Sequence, residues 1–164
     1  MKIVNTHTGK IYVDTDKKLR LEDALAATRA AIDEGIVPGG GIALLNACAE
    51  LQGNKIFDYA EDYLEGNEIV IKALHEPFKN IVENAGCDYD KLYSKYESNR
   101  TKKPEYRIKN YGYDVMSGQF VDMIEKGIID PAKVTRTALQ NALSVATMII
   151  STKVLIADEE KKDK

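Results

Sequence analysis

The sequence predicts a mainly α-helical, multihelical bundle with a small β hairpin or strand pairing at its termini. Three observations carry this. Apolar side chains recur at helical spacing through most of the 164 residues, glycines stand where those stretches stop, and β-prone runs sit at the two ends. The length suffices for one domain, or for a core with an appendage.

Taken in order, Lys2-Ile3-Val4 and Lys10-Ile11-Tyr12-Val13 flank Asn5-Thr6-His7-Thr8-Gly9, the pattern of a hairpin. Leu21, Leu25, Thr28 and Ile32, with Ala24, Ala27 and Ala31 beside them, form the apolar face of a helix that Gly35 ends. Ile36-Val37-Pro38 leads into Gly39-Gly40-Gly41, and an apolar helix follows from Ile42 to about Leu51. Residues 53–63 read as a connection. A long helix then covers about residues 65–85, with Val70, Leu74, Phe78, Ile81, Val82 and Ala85 inward, Pro77 kinking it and Gly86 stopping it. Asp88 suits the N-cap of a short helix reaching Tyr96.

Residues 98–109 are polar and basic and read as a surface loop. Asn110-Tyr111-Gly112-Tyr113-Asp114 reads as a turn, followed by a short helix to about Lys126 that Gly127 closes. The last helix has Asp130 at its N-cap and Pro131 at its first helical position, and runs to about Thr152. Its apolar positions, from Val134 and Leu139 to Val145 and Ile150, cover more than one face, which predicts a central, buried helix. Lys153-Val154-Leu155-Ile156 reads as a strand that needs the N-terminal hairpin or another subunit to pair with. Residues 158–164 form a charged, frayed tail.

Composition narrows the function classes. With 44% hydrophobic and 30% charged residues the chain is globular, and a net charge of −3 gives no basic footprint for nucleic acid. Cys48 and Cys87 lack the spacing of a zinc ribbon or disulfide scaffold, and no His, Cys or Asp cluster has metal-ligand spacing. No signal peptide and no apolar run near a membrane-spanning length are evident, so no membrane partner is expected and the location reads as cytoplasmic or organelle matrix.

Several residues invite a chemical reading. Three glycines ahead of a helix let a backbone approach a ligand at the helix N-terminus, or let two helices pack closely; the pattern alone fits both. Asp23, beside Glu22, is either a solvated helix acid or a carboxylate that positions water for phosphoryl transfer. Asp130 is explained as a cap, and Asp114 as a turn residue or a polar ligand contact. His75 reads as a surface or packing residue and Cys48 as a core thiol. Tyr89, Tyr93 and Tyr96 suit one helix face rather than a base-stacking platform, because no basic stripe accompanies them.

Three strings are more specific. The stretch from Leu21-Glu22-Asp23-Ala24-Leu25 through Ala30-Ala31-Ile32-Asp33-Glu34-Gly35-Ile36-Val37-Pro38-Gly39-Gly40-Gly41 resembles a signature of group I chaperonins, the Hsp60/GroEL family. Asn110-Tyr111-Gly112-Tyr113 and Gly127-Ile128-Ile129-Asp130-Pro131-Ala132-Lys133-Val134-Thr135-Arg136 resemble two more, in the same order. The resemblance spans residues from about 20 to 157 and places the chain at the C-terminal end of that family's subunit. It implies an N-terminal β-prone segment outside the family (residues 1–18), a returning intermediate-domain helix and hinge (19–38), the C-terminal half of a helical equatorial domain (39–157) and a tail (158–164).

The resemblance also implies roles. Asp23 matches the catalytic aspartate that acts on the attacking water, and Gly35 falls at a hinge. Gly40 matches a glycine whose backbone contacts the nucleotide. Asp114, Val115 and Met116 match the stretch along the adenine, Ile128 packs near the base, and Asp130 matches the acid that binds the ribose. The cofactor implied is ATP with magnesium, whose ligands are not in this chain. The family usually has Asn where Asp114 stands and small residues at Val115 and Met116, departures that add a carboxylate and narrow the base slot. The phosphate loop and the apical domain that grips unfolded protein clients have no counterpart here. The implied function is a truncated relative of the ATP-dependent folding machinery, partnered by other chaperonin subunits or by itself and inactive as an ATPase alone. One half of a split subunit and a structural helical module that binds a partner without nucleotide are the alternatives.

Overall fold

The computed structural model of the chain describes residues 2–4, 11–13, 15–53, 61–102, 109–154 and 156. In order, the elements are β1 (Lys2–Val4), β2 (Ile11–Val13), α1 (Thr15–Glu34), β3 (Ile36–Pro38), α2 (Ile42–Gly53), α3 (Glu61–Asn84), α4 (Tyr89–Lys102), β4 (Tyr111–Asp114), β5 (Gln119–Asp122), β6 (Ile129–Pro131) and α5 (Ala132–Ser151). The mainly helical architecture is as the sequence predicts, and the strands form three antiparallel pairs, β1–β2, β3–β6 and β4–β5. The N-terminal hairpin forms, with Ile3 opposite Tyr12. The expected strand at residues 153–156 does not: Lys153, Val154 and Ile156 are irregular, while Leu155 and the tail from residue 157 lie outside the described residues.

The core is a small cluster. Ile42 and Leu45 from α2, Phe78 and Val82 from α3, Tyr96 from α4, and Tyr111 and Met123 from the hairpin region are all nearly inaccessible to water. Of the apolar positions expected to point inward on α3, Leu74, Phe78 and Val82 are buried at i, i+4 and i+8; Ile81 and Ala85 turn outward. The helix runs through Pro77 and ends before Gly86, whose φ of +76° suits only glycine at low cost. Asp88 caps α4 as anticipated, accepting from the Lys91 backbone N–H at 3.1 Å, and α4 continues to Lys102 where a loop was expected.

Residues 111–126 depart most from expectation. In place of a turn and short helix there is a β hairpin, with Tyr113 opposite Phe120. Asp114 closes its tip by accepting from the Met116 N–H at 2.9 Å and the Ser117 hydroxyl at 2.6 Å, while Gly118, at φ +69°, donates its N–H to the Asp114 carbonyl. Phe120 stacks on Tyr111 at 5.4 Å and meets Tyr113 edge-on at 5.1 Å. Cross-strand aromatic pairs of this kind are worth several tenths of a kcal/mol or more each and favour the strand over a two-turn helix. Asp122 then accepts from the Ile124 and Glu125 N–H groups and starts the turn that Gly127 ends.

Two expectations about the last helix fail. Asp130 does not cap it; it sits in β6, opposite Val37, and Pro131 occupies the N-cap without a side-chain hydrogen bond. Nor is α5 central, for none of its residues is buried. An apolar arc wider than one face needs neighbours on several sides, and among the described residues α5 packs mainly on β6 and the C-terminal end of α1.

Candidate functional site

The glycine turn and the start of α5 meet at a seam. Strand β3 pairs with β6, so Val37 faces Asp130 and Pro38 faces Ile129. The Gly39 N–H donates to the Ile128 carbonyl at 2.9 Å, and the Ile128 N–H donates to the Met123 carbonyl at 2.8 Å. Gly40 therefore follows directly on the residue bonded to Ile128, with Asp130 two residues further along β6, although Gly40 and Ile128 are 88 positions apart in sequence.

Each glycine here has a steric reason. A Cβ on Gly41 would lie 2.7 Å from the Phe78 backbone nitrogen, and one on Gly39 would lie 3.2 Å from the Ile128 backbone. Gly40 and Gly41 also take φ of +63° and +79°, left-handed values that favour glycine. Close packing of α2 on α3 thus explains Gly41 without any ligand. Gly40 is the member of the trio whose missing side chain faces only the flexible tip of Met123, at 3.1 Å.

Asp130 stands apart electrostatically. Its carboxylate has no hydrogen-bond or ion-pair partner among the described residues, and partial desolvation pushes its pKa up. A carboxylate in that condition gains by accepting two hydroxyl donors, which is the chemistry of a vicinal diol such as a ribose edge. The fit to a sugar and base is reasonable on this side. No counterpart exists for a metal: no group of three metal-ligating side chains occurs among the described residues.

The other residues singled out in the sequence are placed less favourably. Both oxygens of Asp114 are engaged in the hairpin tip, and the Ser117 hydroxyl holds its pKa below the usual range. Met116 is 92% exposed at that tip, and Val115 is half-buried. Asp23 is exposed on α1, 11 residues before Glu34; the rise of a helix puts it about 17 Å along the axis from the end that meets the seam. The structure sets Gly40, Ile128 and Asp130 along one seam, through the Gly39–Ile128 bond and the Val37–Asp130 pairing, and leaves Asp23 on a separate arm.

That arm is tied at its root. Arg136 of α5 grips Glu34 with two hydrogen bonds, of 3.0 and 2.6 Å, and Lys133 reaches Asp33 at 2.7 Å. The Ala132 N–H donates to the Gly35 carbonyl at 3.0 Å. Acids in the last turn of α1 and bases in the first turn of α5 each oppose their own helix dipole, so it is the cross-pairing that accounts for their positions.

Away from the seam, Cys48, 2% exposed, lies 3.2 Å from Nε2 of His75, whose Nδ1 lies 2.8 Å from the Tyr89 hydroxyl. Burial raises the Cys48 thiol and pushes Tyr89 up to about 12. The sequence reading of Cys48 as a core thiol and His75 as a packing residue holds, but the polar chain linking them had no sequence signal. An open cleft of about 400 Å³ near this chain is lined by Lys79, Glu83, Cys87, Asp88, Tyr89 and Asp90. Three carboxylates against one ammonium make it a poor phosphate site.

The fold and the seam define a helical domain of the chaperonin equatorial type, with a glycine turn set against an acid-bearing strand. A family model described as the TCP-1/cpn60 chaperonin family matches residues 10–160, and the chain belongs to that family. It is similar to a solved structure, the crystal structure of a group III chaperonin in the open state, with a TM-score of 0.76 and 29% sequence identity. The match covers 91% of this chain and 32% of that one, so the chain spans about a third of the length of the structure it resembles. No helix among the described residues is long and apolar enough to cross a membrane.

Proposed function

We propose that this chain is a chaperonin-related polypeptide that contributes one wall of an ATP site to a folding machine, and that alone it does not turn ATP over. The single observation carrying the reading is the seam: Gly39 bonded to Ile128, Gly40 next to it in the chain, and two pairing positions further along β6 the Asp130 carboxylate, without a partner among the described residues. In it Gly40 presents backbone to the nucleotide, Ile128 lines the base slot with Asp114, Val115 and Met116 at its edge, and Asp130 accepts from the ribose. Asp23 is the water-directing acid of the same reading, brought to the phosphates by motion of α1 about Gly35. Residues 19–38 are then the intermediate-type arm and 39–157 the equatorial-type body. The three signature strings support the group I branch, and a soluble cytoplasmic or matrix setting follows from that membership.

Phosphoryl transfer requires charge neutralisation around the phosphates, which magnesium supplies when bound. The described residues offer no cluster for it, so in this reading those ligands lie outside them, as do the client-binding surfaces. Thermal unfolding with and without Mg-ATP tests the proposal, because a ligand specific to the native state raises apparent stability. A saturable rise in melting temperature that Asp130→Ala reduces supports it. The absence of any rise at millimolar nucleotide contradicts it, as does turnover at a chaperonin rate that Asp23→Ala abolishes, since the chain would then carry a complete site.

A further inference from the structure

Outside the seam, three helices bring a phenol, an imidazole and a thiol into one line. Tyr89 opens α4, His75 lies on α3 and Cys48 on α2. The Tyr89 hydroxyl is 2.8 Å from Nδ1 of His75, and Nε2 of the same ring is 3.2 Å from Sγ of Cys48. Tyr93 stacks on the Tyr89 ring at 5.6 Å and meets the imidazole edge-on at 4.9 Å, so both rings are held in place. At its outer end the line reaches water, because Tyr89 also lines the open cleft of about 400 Å³. Asp88 is paired with Lys91 and Lys79 with Glu76, which leaves Glu83 and Asp90 to set the sign of that cleft.

We infer that Tyr89 and His75, backed by Cys48, form a proton-coupled redox site. A cationic one-electron oxidant in the cleft, an oxidised transition-metal ion or complex, takes an electron from the Tyr89 ring, and the phenolic proton passes to Nδ1 of His75. No bond between heavy atoms forms or breaks. The oxidant gains the electron, Tyr89 becomes a neutral phenoxyl radical and His75 becomes an imidazolium. In the tautomer this transfer uses, Nε2 carries the ring hydrogen and donates to Sγ of Cys48, so the imidazolium has an acceptor on each side.

A phenol that loses an electron becomes a strong acid, and without a base in reach the step is held back by proton release to water. Burial pushes the Tyr89 hydroxyl up to about 12, so it enters the step neutral, with that proton still to shed. The 2.8 Å separation from Nδ1 is within the reach of direct proton transfer. The phenols of Tyr111 and Tyr113 are placed differently. The first accepts from the Asn99 amide at 3.1 Å, and the second lies 3.9 Å from the Cys87 thiol. Neither of those partners is a base of imidazole strength. The negative cleft draws a cationic oxidant and repels an anionic one. No residue of the seam takes part, so this inference and the nucleotide reading can fail separately.

Flash photolysis of the full chain with tris(bipyridyl)ruthenium, oxidised in the flash to its trication, tests it, with the radical located by spin trapping and peptide mass spectrometry. Wild type should reduce the trication at least about tenfold faster than Tyr89→Phe or His75→Ala does, and should carry the trap on Tyr89. Added imidazole should restore the rate of His75→Ala and leave wild type unchanged, a rescue that a merely structural histidine would not show. Glu83→Gln/Asp90→Asn, altered only at exposed positions, should slow oxidation by the trication but not by the anion hexachloroiridate. Tyr63→Phe, exposed on α3, should leave the rate unchanged. Tyr89→Phe keeps the ring and loses one hydroxyl, so it carries the test if His75→Ala loses helicity. A wild-type rate no greater than that of Tyr89→Phe overturns the inference. So do a trap confined to other tyrosines, or a folded His75→Ala that oxidises as fast as wild type.

Discussion

Gly41 and Gly35 illustrate how differently two left-handed glycines are constrained. Gly35 ends α1 at φ +83° with nothing within 4 Å of a would-be Cβ, so Gly35→Ala meets backbone strain alone, a cost of about 1 kcal/mol. At Gly41 the new methyl would also strike the α3 backbone at Phe78, and Gly41→Ala should cost about 2–4 kcal/mol. Urea unfolding of both variants checks the ordering; equal effects would mean that α2 and α3 are not in close contact. Asp130 yields a pH prediction. Burial raises its pKa, so the folded state binds that proton more tightly than the unfolded chain does. Its unfavourable contribution is absent at low pH and grows as pH rises from the ordinary aspartate range through the raised folded value. Asp130→Asn should therefore raise the melting temperature at pH 7, with the gain disappearing in acid, while nucleotide affinity falls. A neutral-pH melting temperature that drops on this substitution would show the carboxylate to be structurally paired.

At the scale of elements, the pairing of Glu34 with Arg136 sets the root of α1. Glu34→Arg or Arg136→Glu alone leaves like charges facing each other and should lower the melting temperature. The double exchange restores the pair and places each charge in accord with its helix dipole, so it should melt at least as high as wild type at low salt. A double variant as unstable as the singles would show that these side chains do not meet. Elements also mark what was legible in the sequence. The helices ending at Gly35 and Gly86 were readable because apolar period and stop signal agree at each. The hairpin Tyr111–Asp122 was not, because four-residue strands carry too little alternation to outweigh a helix reading, and the aromatic contacts that favour it appear only in three dimensions. The β3–β6 pairing was invisible for the same reason: three residues pair with three others across more than 90 positions of sequence. Asp130 shows the consequence. Asp-Pro before a helix is a sound capping signal, yet tertiary pairing with Val37 took the aspartate into a strand and freed its carboxylate. Burial of α5 was misjudged because apolar width shows that a helix wants neighbours, not that its own chain supplies them.

The whole molecule joins a packed half to an unpacked one. Phe78, Val82, Tyr96 and Met123 anchor the first; truncating Phe78 to Ala should cost about 3–5 kcal/mol. The arm of α1 and the bare flank of α5 make up the second. The glycine and acid proposed to contact the nucleotide lie where the two halves adjoin. Backbone amide NMR during titration with Mg-ADP, followed residue by residue, addresses the seam most directly. Saturable shifts at Gly39, Gly40, Ile128 and Asp130, with α3 and α4 amides unmoved, are the expected outcome. Shifts absent from those four positions, or spread evenly over the exposed cations of the chain, would contradict a nucleotide wall there.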